Sequence, residues 1–376
     1  MRGITRNVVL LGLVSLLTDI SSEMIYPLIP LFLTTTLGAS VGAAAFIEGC
    51  AEMTASLLKG ISGAWSDRIG RRRPFVFAGY GISALAKLGL AAATGWTAVL
   101  GARIADRFGK GVRTSARDAM LAESTEAESR GRAFGFHRSM DQIGAVVGPL
   151  LALPLLALFN QNLRYVFVVA AVPGLLSLVV IRMTRETGTV APPKQATREA
   201  LPKRFWIYLS VSVLFALGNS ADALLLLRAK SLGATTNTIV LYFALFNAVT
   251  VAASYPAGAI SDRLGRKHVL MAGWIVFALV YAAFGAVTHL AFLPLLFAVY
   301  GLYSGIAEGA ARAYVVDLVG ADRKATALGY HALATGVAVL GANVAAGLLW
   351  EHAGAAYPFL YGGAMAFVAS LLLAVI

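Results

Sequence analysis

The chain has 376 residues, of which 58% are apolar and only 13% charged, and its mean hydropathy is +0.75. Soluble domains carry about 25% charged residues, so a large buried-core helical enzyme is excluded in favour of an integral membrane protein. The net charge of +12 gathers in the loops of one membrane face, where it meets anionic headgroups, and implies no nucleic-acid partner.

Apolar runs long enough to cross a hydrocarbon core of about 30 Å are predicted at 8–33, 41–64, 74–94, 97–122, 133–158 and 165–182, and again at 204–230, 236–260, 268–288, 292–317, 325–351 and 355–376. Backbone polar groups cannot stay unpaired in lipid, so each run must be a helix. The expected fold class is an all-α membrane protein of twelve transmembrane helices.

In the first span Asp19, Ser22, Glu23 and Tyr26 share a face, and Pro27 and Pro30 allow a bend. Arg2 and Arg6 ahead of an apolar run imitate a secretory signal, but Asp19 and Glu23 interrupt the run and no small-residue cleavage site follows. The second span brings Glu48, Glu52 and Lys59 within about 40° of one another. It also holds Cys50, the single cysteine, which leaves no intrachain disulfide to form. The fourth span, "ARIADRFGKGVRTSARDAM", is the densest in charge. Arg103, Asp106, Arg107, Lys110, Arg113, Arg117 and Asp118 fall in a sector of about 140°. Ionisable groups in a span are costly and face a cavity or one another. Arg107 and Lys110 come nearest the midplane and are the expected substrate contacts; Arg113 and Arg117 lie deeper, as interhelical pairs or snorkelling ends. The fifth span reads "FHRSMDQIGAVVGP", with His137, Asp141, Gly144 and Gly148 on one face. Its glycines also suit a plain packing seam.

The two halves repeat each other. "GAWSDRIGRR" at Gly63–Arg72 returns as "GAISDRLGRK" at Gly258–Lys267, 195 residues later. "SARDAM" at Ser115 is answered by "AARAYV" at Ala310, and "AFGFH" at Ala133 by "ALGYH" at Ala327. "TDISS" at Thr18 matches "GNSAD" at Gly218 only faintly. The expected organisation is a six-helix bundle at 1–183, a cytoplasmic linker at 184–203 and a second six-helix bundle at 204–376. Lys and Arg are divided nineteen to three between alternate loops, the three being Arg164, Arg228 and Lys230. The positive-inside rule then puts both termini in the cytoplasm. The absence of an N-x-S/T sequon leans toward a bacterial inner membrane.

Taken together, the doubled motif and the twelve-span background resemble the major facilitator superfamily over essentially the whole chain. The motif G-x-x-x-D-R-x-G-R-[RK] is that family's signature, and here it stands in both expected loops. The resemblance implies a conformational latch formed by Gly63, Asp67, Arg68, Gly70 and Arg71 in one half and by Gly258, Asp262, Arg263, Gly265 and Arg266 in the other. Each aspartate would meet the positive end of a helix or a basic side chain, while two halves rock about a central site. Arg107-x-x-x-Gly111 resembles the family's fourth-helix motif, tied to substrate or proton coupling. Gly144-x-x-x-Gly148-Pro149 resembles the fifth-helix motif of drug–proton antiporters, in a shorter form.

The expected function is proton-coupled secondary transport, by alternating access, of a small anionic or zwitterionic amphipathic solute, with export by antiport favoured. An organic-anion:proton symporter and a flippase-like lipid transporter remain as alternatives. Arg107, Lys110, Tyr26, Asn219 and Glu308 are the expected substrate contacts, and Asp19, Glu23, Glu48, Glu52 and Asp141 the expected proton-coupling groups. Asp19 and Glu23 lead that set, although structural pairing with the fourth-span cations is an equal alternative for any one carboxylate. The expected partners are the solute, protons and membrane lipids, with the protein a monomer. No metal cluster, nucleophile triad or phosphate loop is present in the sequence, so neither a cofactor nor an enzymatic activity is expected.

Overall fold

The computed structural model describes residues 4–69, 71–126, 129–186, 200–319 and 323–375, and of residues 60, 61, 63–65, 67, 68, 308 and 325 the backbone alone. The described residues form helices α1 (Arg6–Ile25), α2 (Val41–Ile69), α3 (Arg73–Ala92), α4 (Trp96–Glu123), α5 (Arg130–Leu158) and α6 (Leu163–Arg182). The second half continues with α7 (Lys203–Gly218), α8 (Asp222–Ser231), α9 (Thr236–Leu264), α10 (Arg266–Ala286), α11 (Leu293–Asp317), α12 (Lys324–His352) and α13 (Tyr357–Val375). Eleven spans are long and apolar enough to cross a membrane, with α7 and α8 counted together. The twelfth is α4. Its 28 residues reach ~42 Å at 1.5 Å per residue, and Arg103, Asp106, Arg107 and Arg113 are buried. The twelve predicted spans are all present.

Two spans depart from a regular helix. The first runs past Ile25 through a 3₁₀ turn at Tyr26–Leu28 and a π turn at Phe32–Thr36, because Pro27 and Pro30 each remove a helical donor. The seventh, expected as one helix over 204–230, is broken between Gly218 and Asp222. Gly218, Asn219 and Ser220 are poor helix formers, and neighbouring side chains take up the freed backbone. Asn343 Oδ1 accepts from Ala221 N at 3.0 Å, and the Tyr281 hydroxyl donates to Ser220 O at 3.1 Å. A break within lipid is tolerated only when such partners replace water.

The helices pack as two compact units, Met1–Gly38 with Cys50–Pro193, and Ala39–Gly49 with Lys194–Ile376. Of the predicted linker 184–203, residues 187–199 lie outside the described residues. In the second unit the start of α2 lies close on α12. A methyl built at Gly347 would stand 2.8 Å from Gly42 Cα, and Gly42 N donates to Glu351 Oε1 at 2.9 Å.

In the first unit α1 and α5 run side by side in the same direction at very close range. A methyl at Gly144 would meet Asp19 Cβ at 2.8 Å, and one at Gly148 would meet Ile20 O at 2.8 Å and Met24 N at 2.9 Å. These small residues let the helix backbones touch, as membrane helices do where apolar burial gives no preference for protein over lipid. Charged side chains close several helix ends. Arg164 Nη1 donates to Ala91 O, Arg73 Nη2 to Arg182 O, and Arg228 to the carbonyls of Phe284, Gly285 and Val287. Each cation meets the negative end of a helix and satisfies carbonyls that have no intrahelical donor.

Gly148→Ala should therefore destabilise the protein by about 1–3 kcal/mol through overpacking, seen as a lower melting temperature in detergent. Gly135→Ala, where nothing lies within 4 Å, should leave the melting temperature unchanged or slightly raised.

Candidate functional site

The first unit holds a small, partly open polar pocket of about 20 Å³. The inner face of α1 contributes Asp19, Ser22, Glu23, Ile25 and Tyr26, α3 contributes Lys87, and α4 contributes Arg103, Asp106, Arg107, Lys110 and Arg113. Five cations thus face three carboxylates. The amphipathic period of α4 dictates this, because its charged sector has nowhere to turn but inward.

Most of these charges are already engaged. Asp106 lies 3.4 Å from Arg103 Nη1 and 3.8 Å from Lys87 Nζ. Lys87, 1% exposed, also donates to Ser83 O at 3.1 Å. Arg113 donates to Ser83 Oγ at 2.6 Å and sits over the Tyr80 ring at 4.5 Å. Arg107 Nη2 pairs with Glu52 Oε1 at 3.1 Å, and Arg103 faces the Tyr26 ring at 5.8 Å. Lys110 is different. Among the described residues its ammonium makes neither a hydrogen bond nor an ion pair, and the same holds for the carboxylates of Asp19 and Glu23. The wall therefore offers one ammonium and two carboxylates whose polar atoms have no partner among the described residues.

The expected site residues divide accordingly. Arg107, Lys110, Tyr26, Asp19 and Glu23 line the cavity together, and Glu52 stands beside them as the partner of Arg107. Glu48 is buried on α2 and does not line the cavity. Asp141 lies outside the lining on α5, accepting from Ser15 Oγ and 3.6 Å from His137 Nδ1. Asn219 sits at the α7–α8 break in the second unit, and the side chain of Glu308 is outside the described residues. Lys87 was missed by sequence reasoning. A lone cation in the apolar run "ISALAKLGLAA" was signal enough, since an intramembrane charge always needs an explanation.

Of the residues in the expected latch, Gly70 lies outside the described residues, Gly63, Asp67 and Arg68 are described by their backbone alone, and Arg71 is exposed. The second copy is described. Gly265 adopts φ +87° between α9 and α10, a conformation that favours glycine. Arg266 pairs with Asp317 at 3.2 Å and donates to Ala313 O at 2.9 Å, binding the turn to α11. Among the described residues Asp262 forms its ion pair with Arg266 of its own turn, at 3.9 Å, and its side chain is 75% exposed. Gly258 has open space beside it, and Arg263 is exposed.

Asp106 is the hub of the engaged set. Asp106→Ala should strand Lys87 and Arg103 without their carboxylate and cost about 3–5 kcal/mol, whereas the apolar pair Lys87→Met with Asp106→Leu should recover much of that loss. Melting temperatures of the purified variants decide between the two outcomes.

Comparison with known proteins agrees with this architecture. The sequence profile of the Major Facilitator Superfamily matches residues 11–227 and 208–376. An uncharacterised MFS-type transporter of Methanocaldococcus jannaschii is 34% identical over 99% of this chain and 95% of its own. The multidrug resistance protein MdtH of Aeromonas salmonicida is 25% identical over 92% of this chain and 88% of its own. Among solved structures, the nucleoside transporter NupG superposes with a TM-score of 0.81 at 13% identity, covering 98% of this chain and 99% of that one. A D-xylose–proton symporter gives 0.76 at 18% identity over 97% and 96%. At such identities these two likenesses speak for the fold alone. The chain belongs to the major facilitator superfamily: it is an integral membrane transporter and not an enzyme.

Proposed function

We propose that the protein is a proton-coupled exporter of small zwitterionic amphipaths, working by antiport across a bacterial inner membrane with both termini in the cytoplasm. The observation that carries this reading is the cavity wall of the first unit, where Lys110, Asp19 and Glu23 have no partner among the described residues. An anionic group gains a charge-assisted hydrogen bond from Lys110, with the guanidinium of Arg107, held by Glu52, close behind it. A cationic group is met by Asp19 or Glu23. A proton on that carboxylate removes the charge the cationic group needs, so proton and solute exclude each other. Mutual exclusion at one site is the thermodynamic basis of antiport. A purely anionic solute reverses the sign, because protonating the carboxylates removes repulsion and favours symport. The match to multidrug resistance proteins of the family supports the export direction.

The sign is measurable. Ligands are first found by thermal stabilisation of the purified protein with a panel of amphipathic zwitterions and anions. Binding is then followed by calorimetry in two buffers of different ionisation enthalpy. Antiport expects proton release, and an apparent affinity that rises with pH by up to about tenfold per unit while the carboxylate is protonated. Proton uptake, with affinity falling as pH rises, would establish symport instead.

Lys110→Ala should weaken a bound zwitterion by at least about tenfold, ~1.4 kcal/mol, with little change in melting temperature. Wild-type affinity in that variant would remove Lys110 from the site. For orientation, a cysteine at Ala39 should react with an impermeant thiol reagent from outside, and one at Ala196 only after the membrane is opened.

A further inference from the structure

Three oxygen-bearing side chains share one face of α1 within a single turn. Asp19, Ser22 and Glu23, spaced i, i+3 and i+4, all line the pocket of the first unit. Among the described residues, neither the two carboxylates nor the Ser22 hydroxyl has a hydrogen-bond or ion-pair partner. Their bases are firmly seated. The backbone of α5 comes so close that a methyl at Gly144 would stand 2.8 Å from Asp19 Cβ, and one at Gly148 3.0 Å from Glu23 Cβ. Two carboxylates one turn apart repel each other, and five cations line the same pocket. Lys87 and Arg103 are engaged with Asp106, Arg107 with Glu52, and Arg113 with Ser83 and the ring of Tyr80. Lys110 shares the wall without closing on either carboxylate. The three acceptors are thus left to the pocket rather than to a cation of the protein.

The size of the pocket limits what can enter it. A volume of about 20 Å³ exceeds the ~10–15 Å³ that one water needs, and a primary ammonium is of water size. A trimethylammonium is much larger and has no N–H. Taking it in would strip water from both carboxylates and the hydroxyl without giving a hydrogen bond in return. Quaternary nitrogens are held instead by the faces of aromatic rings. Among the described residues the lining has one ring, that of Tyr26, and Arg103 already stands over it at 5.8 Å from the centroid.

We propose that Asp19, Ser22 and Glu23 form the seat of a primary ammonium group, so that the solute is an amphipath whose head carries an N–H-bearing rather than a quaternary nitrogen. The seat rests on the zwitterion reading above and narrows its substrate class. Three N–H donors meet three acceptors, two of them charged, while the anionic group of the same head takes its hydrogen bond from Lys110. The apolar tail stays outside, because the pocket has no room for it.

The test compares α-aminodecanoic and α-aminododecanoic acid with their N,N,N-trimethyl derivatives, which keep the chain, the carboxylate and the charge but lose every N–H. Binding to full-length protein in lipid nanodiscs is measured by calorimetry, with empty nanodiscs as the correction for partitioning. The primary amines are expected to bind at least about tenfold tighter, the difference that a charge-assisted hydrogen bond makes. In Asp19→Asn and in Glu23→Gln that ratio should fall toward one. In Lys110→Ala both members of a pair should weaken together and the ratio should persist. Melting temperatures establish that each variant is folded, and the comparison of the two heads on the wild-type protein stands whatever the variants do. Equal affinity for both heads in the wild type overturns the ammonium seat and leaves the zwitterion reading standing. An intact ratio in both folded carboxylate variants overturns the assignment to Asp19 and Glu23. Binding of neither head at either chain length overturns the zwitterion reading, and the seat with it.

Discussion

The first unit is organised by the cost of a bare charge away from water. An isolated ion in a low-dielectric interior loses several kcal/mol of hydration, and the loss is offset only where an opposite charge and further hydrogen bonds are within reach. On α4 this requirement determines the neighbours. Asp106 draws Lys87 from α3 and Arg103 from its own helix, Arg113 takes Ser83 and the face of Tyr80, and Arg107 takes Glu52 from α2. Each pair between helices fixes the rotation of one helix against the next, so the cavity is held by charge matching as much as by shape. What remains after the pairing, among the described residues, is one ammonium and two carboxylates, those of Lys110, Asp19 and Glu23.

The glycine seam between α1 and α5 supports the same arrangement. Because Gly144 and Gly148 lack side chains, the backbone of α1 approaches until Asp19 and Glu23 pack directly on α5. A larger residue there would push both carboxylates away from Asp141 and from the cationic wall. The seam is therefore both a packing device and the element that positions the two carboxylates.

The second unit shares the plan of the first but not its charge. Its core is a run of stacked rings, including Phe215 on Trp274 at 4.5 Å and Phe277 on Tyr281 at 4.0 Å. Asp222 accepts from the Tyr300 hydroxyl at 2.6 Å, and polar side chains close the α7–α8 break. The repeat preserves helix order, while among the described residues intramembrane charge is concentrated in one half. That asymmetry is the physical ground on which we propose solute and proton chemistry in the first unit.

The number of spans, their limits to within a few residues, and the doubled motif were legible in the sequence, because hydropathy and turn chemistry are local properties. The crowding of charge on one sector of α4 was legible for the same reason, since a helical period converts spacing directly into angle. The pairing of those charges was not. Whether Arg107 meets Glu52 or a solute, and whether Asp141 faces the cavity or Ser15 and His137, depends on how each helix is rotated against its neighbour. No single helix carries that information. The break at Asn219–Ala221 was hidden likewise, because Asn343 and Tyr281, distant in sequence, supply the hydrogen bonds that permit it. Sequence alone determined which residues had to avoid lipid; only the tertiary structure decided which of them satisfy one another, because satisfaction is a property of pairs and the pairs lie on different helices.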